Sequence, residues 1–79
     1  MLTIHLQKVL HGNMEYKSYS NLGMGVLFHQ WTVNRGKPNA QHRTYTTYFE
    51  DSQEADEEII RRTARDFTLG WRLSRSDSF

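Results

Sequence analysis

Apolar and polar residues alternate from the start of the chain. Leu2, Ile4, Leu6 and Leu10 are interleaved with Thr3, His5, Gln7 and His11, and the period of two breaks only at Lys8 and Val9. That spacing predicts a half-buried antiparallel strand with one apolar and one polar face. His11-Gly12-Asn13 then supplies turn residues that tolerate positive φ. Residues 14–20 read as a weaker second strand carrying Tyr16 and Tyr19, and residues 21–25, with Gly23 and Gly25, as a loop or glycine bulge. The run 26–33, Val-Leu-Phe-His-Gln-Trp-Thr-Val, is β-branched and aromatic and predicts the strongest strand after the first. Its alternation is imperfect: Leu27, His29, Trp31 and Val33 share one face, Val26, Phe28, Gln30 and Thr32 the other. The pattern therefore leaves open which face meets the core. Residues 34–39 form a hairpin loop by their Asn, Gly and Pro content, and residues 43–49 a fourth strand rich in Thr and Tyr.

At Asp51 the period changes. Asp51-Ser52-Gln53-Glu54 carries a capping-box signature, with Ser52 an equal candidate for the cap. Ala55, Ile59, Ile60, Ala64 and Phe67 then recur at helical spacing and predict one apolar stripe docked on a sheet. Gly70 is the expected stop. Leu69, Trp71 and Leu73 suggest a short last strand, and residues 74–79 a fraying tail. The layout is α+β, a single domain over 1–79: an antiparallel meander of four to five strands with one helix across one face. A helix of about 16 residues is roughly 24 Å long and covers one face only. The other face stays open, with His5, Gln7 and His11 and a bulky pair from the third strand expected on it.

Charge sharpens this picture. The net charge is +1, yet residues 1–49 hold Lys8, Lys17, Arg35, Lys37 and Arg43 against Glu15, while residues 50–66 hold seven acids against Arg61, Arg62 and Arg65. Acids early and arginines late in the helix suit its dipole, and Glu57–Arg61 and Glu58–Arg62 have i,i+4 spacing. The density of Glu50, Asp51, Glu54, Asp56, Glu57 and Glu58 exceeds what capping requires, so these six form a candidate acidic patch for a basic partner. Ten rings in 79 residues are many for one small core. Phe28, Trp31, Tyr45 and Tyr48 are candidate anchors, since aromatic residues are enriched at interfaces. Lys17, Arg35, Lys37 and Arg43, interleaved with rings, are candidate contacts to nucleic acid.

Other chemistries find little support. The chain has no cysteine, which excludes disulfides and thiolate zinc sites and suits a reducing, cytoplasmic setting. His5, His11, His29 and His42 lack ligand spacing and read as surface histidines; His5 and His11 lie about 20 Å apart along one strand. Gly23-Met24-Gly25 precedes a strand and not a helix, so it lacks the context of a phosphate loop. No cofactor and no enzymatic activity are expected. No window is long and apolar enough to span a membrane.

The order of strand, Asn34-Arg35-Gly36-Lys37, strand and Asp51-x-x-Glu54 helix, over residues 26–67, resembles two groups. One is the arm-type DNA-binding domains of tyrosine integrases, which lay a three-stranded sheet in the major groove. The other is the small phage inhibitors such as anti-CRISPR proteins. The first resemblance implies a basic sheet in a groove, the second a charged and aromatic surface that blocks a host complex. The leading expectation is a non-enzymatic module that docks on a larger protein or nucleoprotein complex and inhibits or modulates it. The alternative is a nucleic-acid-binding domain using its basic, aromatic sheet face and the hairpin 35–43. A homodimer through edge strands or open faces is compatible with both.

Overall fold

A computed structural model describes residues 1–78. Five strands, β1 (Leu2–Leu10), β2 (Asn13–Asn21), β3 (Val26–Val33), β4 (Gln41–Tyr48) and β5 (Arg72–Ser78), form one sheet, and one helix, α1 (Ser52–Thr68), connects β4 to β5. All neighbouring strands are antiparallel, in the order β4-β3-β2-β1-β5. The first four strands are thus a meander, and α1 carries the chain back across it to lay β5 against β1. The fold is α+β, as the period change at Asp51 implies.

The β1–β2 hairpin closes through His11 and Gly12, both with positive φ (52° and 78°), as a two-residue turn matching strand twist requires. Between β2 and β3, a Cβ on Gly25 would lie 2.2 Å from the Phe49 carbonyl oxygen. Only glycine fits there, and its own carbonyl accepts from the Phe49 amide at 2.8 Å.

Ile4 and Leu6 of β1, Tyr19 of β2, Leu27 of β3, Ala55 and Ile59 of α1, and Trp71 form the buried core, with Leu2, Trp31 and Phe49 packed against it. The register pairs Ile4 with Tyr19, Tyr19 with His29 and Leu27 with Asn21. Leu27, His29, Trp31 and Val33 therefore face the helix, which resolves the ambiguity of the third strand.

Asp51 caps α1, its carboxylate accepting from the Glu54 amide at 2.9 Å, while the Glu54 side chain accepts from the Glu50 amide at 3.0 Å. Gly70, at φ 95°, ends it, and the Trp71 amide turns back to the Asp66 carbonyl. The buried stripe differs from the expected one. It comprises Ala55, Ile59, Thr63 and Asp66, whereas Ala64 is exposed and Ile60 and Phe67 are 60% and 49% exposed. The helix is rotated by roughly 70°, and β2 presents polar groups, Lys17 and the Tyr19 hydroxyl, that Asp66 satisfies.

The C-terminal segment also departs from expectation. Residues 69–71 are helix end and turn, with Trp71 buried in the core. Residues 74–78 are no fraying tail but part of β5: Arg75 to Ser78 pair with β1, from Arg75 opposite His5 to Ser78 opposite Leu2, past an irregularity at His5/Leu6 where Ser74 is the extra residue. The first strand's second edge needs a partner, and β5 supplies it. Phe79 lies outside the described residues.

Candidate functional site

Two clusters of polar side chains stand out, one on each side of the sheet. The first is sealed beneath α1. Asp66, with no solvent exposure, accepts from the Tyr19 hydroxyl at 2.5 Å and from the Lys17 ammonium at 3.0 Å. The ammonium also lies 4.2 Å from the centre of the Trp71 ring. Burial, then the Asp66 carboxylate, push the Tyr19 hydroxyl well above the usual tyrosine range. His29 leans on Tyr19 at 4.8 Å and on Tyr45 at 5.5 Å between ring centres. Burial, then the cations of Lys17 and Arg62, bring its imidazole down to about 4. Its Nε2 is buried without a hydrogen-bond partner, so His29 is not the surface histidine the sequence suggests. This cluster joins helix to sheet.

The second cluster lies on the uncovered face. Side chains alternate across a sheet, so the register builds this face in rows. One row runs Arg72, Gln7, Tyr16, Thr32, His42; the next runs Arg75, His5, Ser18, Gln30, Thr44; a third runs Asp77, Thr3, Ser20, Phe28, Thr46. The rows are hydroxyls, amides and imidazoles, with cations toward the β5 edge. The hairpin after β3 adds Arg35, whose guanidinium stacks 4.2 Å from the centre of the Tyr16 ring. Thr32 and His42 are linked at 2.9 Å and Ser18 to Gln30 at 3.5 Å. Arg75 Nε holds Asp77 at 3.0 Å. A shallow cleft of about 300 Å³ opens here, and no carboxylate lines it.

The residues singled out in the sequence are redistributed. Among the anchors, Phe28 and Tyr48 share the uncovered face, whereas Trp31 and Tyr45 lie on the helix side. Tyr48 is 75% exposed. Of the candidate nucleic-acid contacts, Arg35 is on the uncovered face and Lys37 is exposed in the hairpin loop. Arg43 sits on the helix side, 5.8 Å from the Trp31 ring centre. Lys17 points into the interior, its side chain 12% exposed and paired with Asp66, so it is not placed to meet a phosphate. His5 and Gln7 line the uncovered face as anticipated; His11 is in the first turn.

The acidic patch is largely occupied by the chain itself. Asp51 is the helix cap and Glu54 completes it. Asp56 accepts from the Leu2 amide at 2.9 Å and the Asn21 amide group at 2.8 Å. Glu57 accepts from Gln53 at 3.2 Å, and Glu58 bridges Arg61 and Arg62. Glu50 is exposed. Of the six, Asp56 ties the helix start to β1 and β2, while Asp51, Glu54, Glu57 and Glu58 bond within α1 and its cap.

No family model, curated protein or solved structure matches the chain. Among the described residues no group of three or more His, Asp or Glu is placed to hold a metal ion, and no helix is long and apolar enough to cross a membrane.

Sequence reasoning missed Arg72, Arg75, Tyr16, Ser18 and Gln30 as members of one surface. A signal existed for Arg75 in Ser74-Arg75-Ser76-Asp77-Ser78, where charge alternates with serine at strand period.

Proposed function

We propose that this protein is a non-enzymatic module that binds nucleic acid, free or displayed on a nucleoprotein complex, through its uncovered sheet face. The observation that carries this reading is the composition of that face. Arg35, Arg72 and Arg75 stand against the single acid Asp77, with His5 and His42 among neutral hydrogen-bonding groups and the rings of Tyr16, Phe28 and Tyr48 exposed or half-buried. A cationic sheet with accessible rings holds a single strand by phosphate contacts and base stacking. A non-enzymatic role is supported by the burial of the hydrogen-bonded set Lys17, Tyr19 and Asp66 beneath α1. The engagement of Asp56 with β1 and β2 and of Glu58 with Arg61 and Arg62 favours this reading over docking by an acidic patch.

The test is fluorescence anisotropy with a labelled single-stranded oligonucleotide. Three arginine contacts give a salt slope of about −2 for a single strand, so raising salt from about 50 to about 200 mM weakens binding roughly 16-fold. Absence of binding at the lower salt refutes the reading and returns attention to a protein partner.

A further inference from the structure

We infer that the cleft on the uncovered face is a nucleotide-phosphate site, with the phosphate gripped between Arg35 and Arg75. The inference rests on the nucleic-acid reading above and narrows it to one position. The two guanidinium groups come from different elements, the hairpin after β3 and the strand β5, and both line the same cleft of about 300 Å³. That volume is at the lower end of small-ligand pockets, roughly 300–1,000 Å³, and suits one nucleotide unit.

Each arginine is oriented without being consumed. Arg35 is held flat on Tyr16 at 4.2 Å, and no carboxylate pairs with it among the described residues. Arg75 is held through Nε by Asp77 at 3.0 Å, which leaves the two terminal nitrogens of its fork for a second anion. Planar, pre-positioned forks are the arrangement that binds phosphate oxygens bidentately. Ser18 donates to the Gln30 side-chain oxygen at 3.5 Å, which leaves the Gln30 amide NH2 as a further donor. His5, opposite Arg75 in the ladder, adds a ring against which a sugar or base packs. The lining thus offers donors and stacking planes, and the one acid beside it, Asp77, engages Arg75 through Nε alone. Nucleotide phosphate is the ligand class that satisfies all of these at once.

The phosphate belongs either to a strand or to a free mononucleotide, and the experiment separates the two. Amide chemical shifts of the 15N-labelled protein are followed during titration with adenosine monophosphate and, separately, with a single-stranded oligonucleotide. The same titrations are made on Arg35→Ala, Arg75→Ala, Arg35→Lys and a control, Arg61→Ala, on the outer face of α1. Both ligands should shift Ser18, Gln30 and His5. Oligonucleotide affinity should fall tenfold or more in each of the two cleft alanine variants and by less than threefold in the control. Arg35→Lys should recover only part of the loss, because an ammonium cannot stack flat on Tyr16. Arg35 and Arg75 are solvent-exposed, and unchanged spectra of the free variants confirm that each still folds.

If the wild type binds the oligonucleotide and both alanine variants bind it equally well, the cleft is not the phosphate site, although the nucleic-acid reading survives. Mononucleotide binding at the cleft without oligonucleotide binding supports the phosphate site and refutes the strand. Binding of neither refutes both.

Discussion

His29→Phe separates the titration of one half-buried imidazole from everything else in the protein. The ring lies between Tyr19 and Tyr45, facing Lys17 from β2 and Arg62, Arg65 and Asp66 from α1. Burial and the nearby cations hold its folded-state value at about 4, against 6.5 for a free histidine. Between those two values the unfolded chain binds the extra proton and the folded chain does not. Stability therefore rises with pH across this window and is lost as the pH falls from about 6.5 toward 4. The whole gap corresponds to a ceiling of roughly 3 kcal/mol. Because the ring keeps some contact with water, about 1–2 kcal/mol is the expected effect. Urea unfolding of the wild type and the variant, at about pH 7 and about pH 4.5, cancels the other titrating groups in the difference. Phenylalanine preserves both ring contacts and removes the unpartnered Nε2, so at neutral pH the exchange should be neutral or mildly stabilising. On acidification the variant should lose about 1–2 kcal/mol less than the wild type. A difference between the two pH responses smaller than about 0.3 kcal/mol would show that His29 is not held neutral by its surroundings.

Asp66→Ala leaves the Lys17 ammonium and the Tyr19 hydroxyl buried without a partner, and should cost about 3–5 kcal/mol, enough to unfold much of a domain this small, as circular dichroism melts would report. Gly25→Ala drives a Cβ into the Phe49 carbonyl at a residue with φ of 81° and should lower the melting temperature, whereas Gly36→Ala, with open space around it, should lower it much less. Asp51→Ala removes the helix cap and should cost about 1 kcal/mol, measured by urea unfolding; no change would mean that Ser52 takes over the cap.

Much of this fold was legible because its determinants are local. Leu2, Ile4 and Leu6 announce β1 by alternation, and Asp51 with Glu54 announces the start of α1 within four residues. The phase of the helix was not legible. Ile60, Ala64 and Phe67 compete with Thr63 and Asp66 for the sheet, and the outcome depends on Lys17 and Tyr19, 49 and 47 residues away in sequence. Apolar character alone favours the first set, and a buried carboxylate wins only once its two partners are known to lie opposite. The uncovered face was visible in outline, through His5 and Gln7 and the argument that one helix covers one side. Its basic edge was not, because Arg75 and Asp77 belong to a strand without a large apolar residue beyond Leu73. Such a strand is held by the ladder to β1 and has no hydrophobic signature of its own.

The pairing of β5 with β1 joins the first described strand to the last. A ribosome releasing this chain from its N-terminus makes β1 to β4 long before the partner for the free edge of β1 exists. During that interval the growing protein exposes Ile4 and Leu6 on an unclosed strand, with Asp66 not yet available to Lys17. Synthesis therefore passes through a nascent state that is prone to pair with other extended chains, and that state ends only when β5 has left the exit tunnel and can pair with β1.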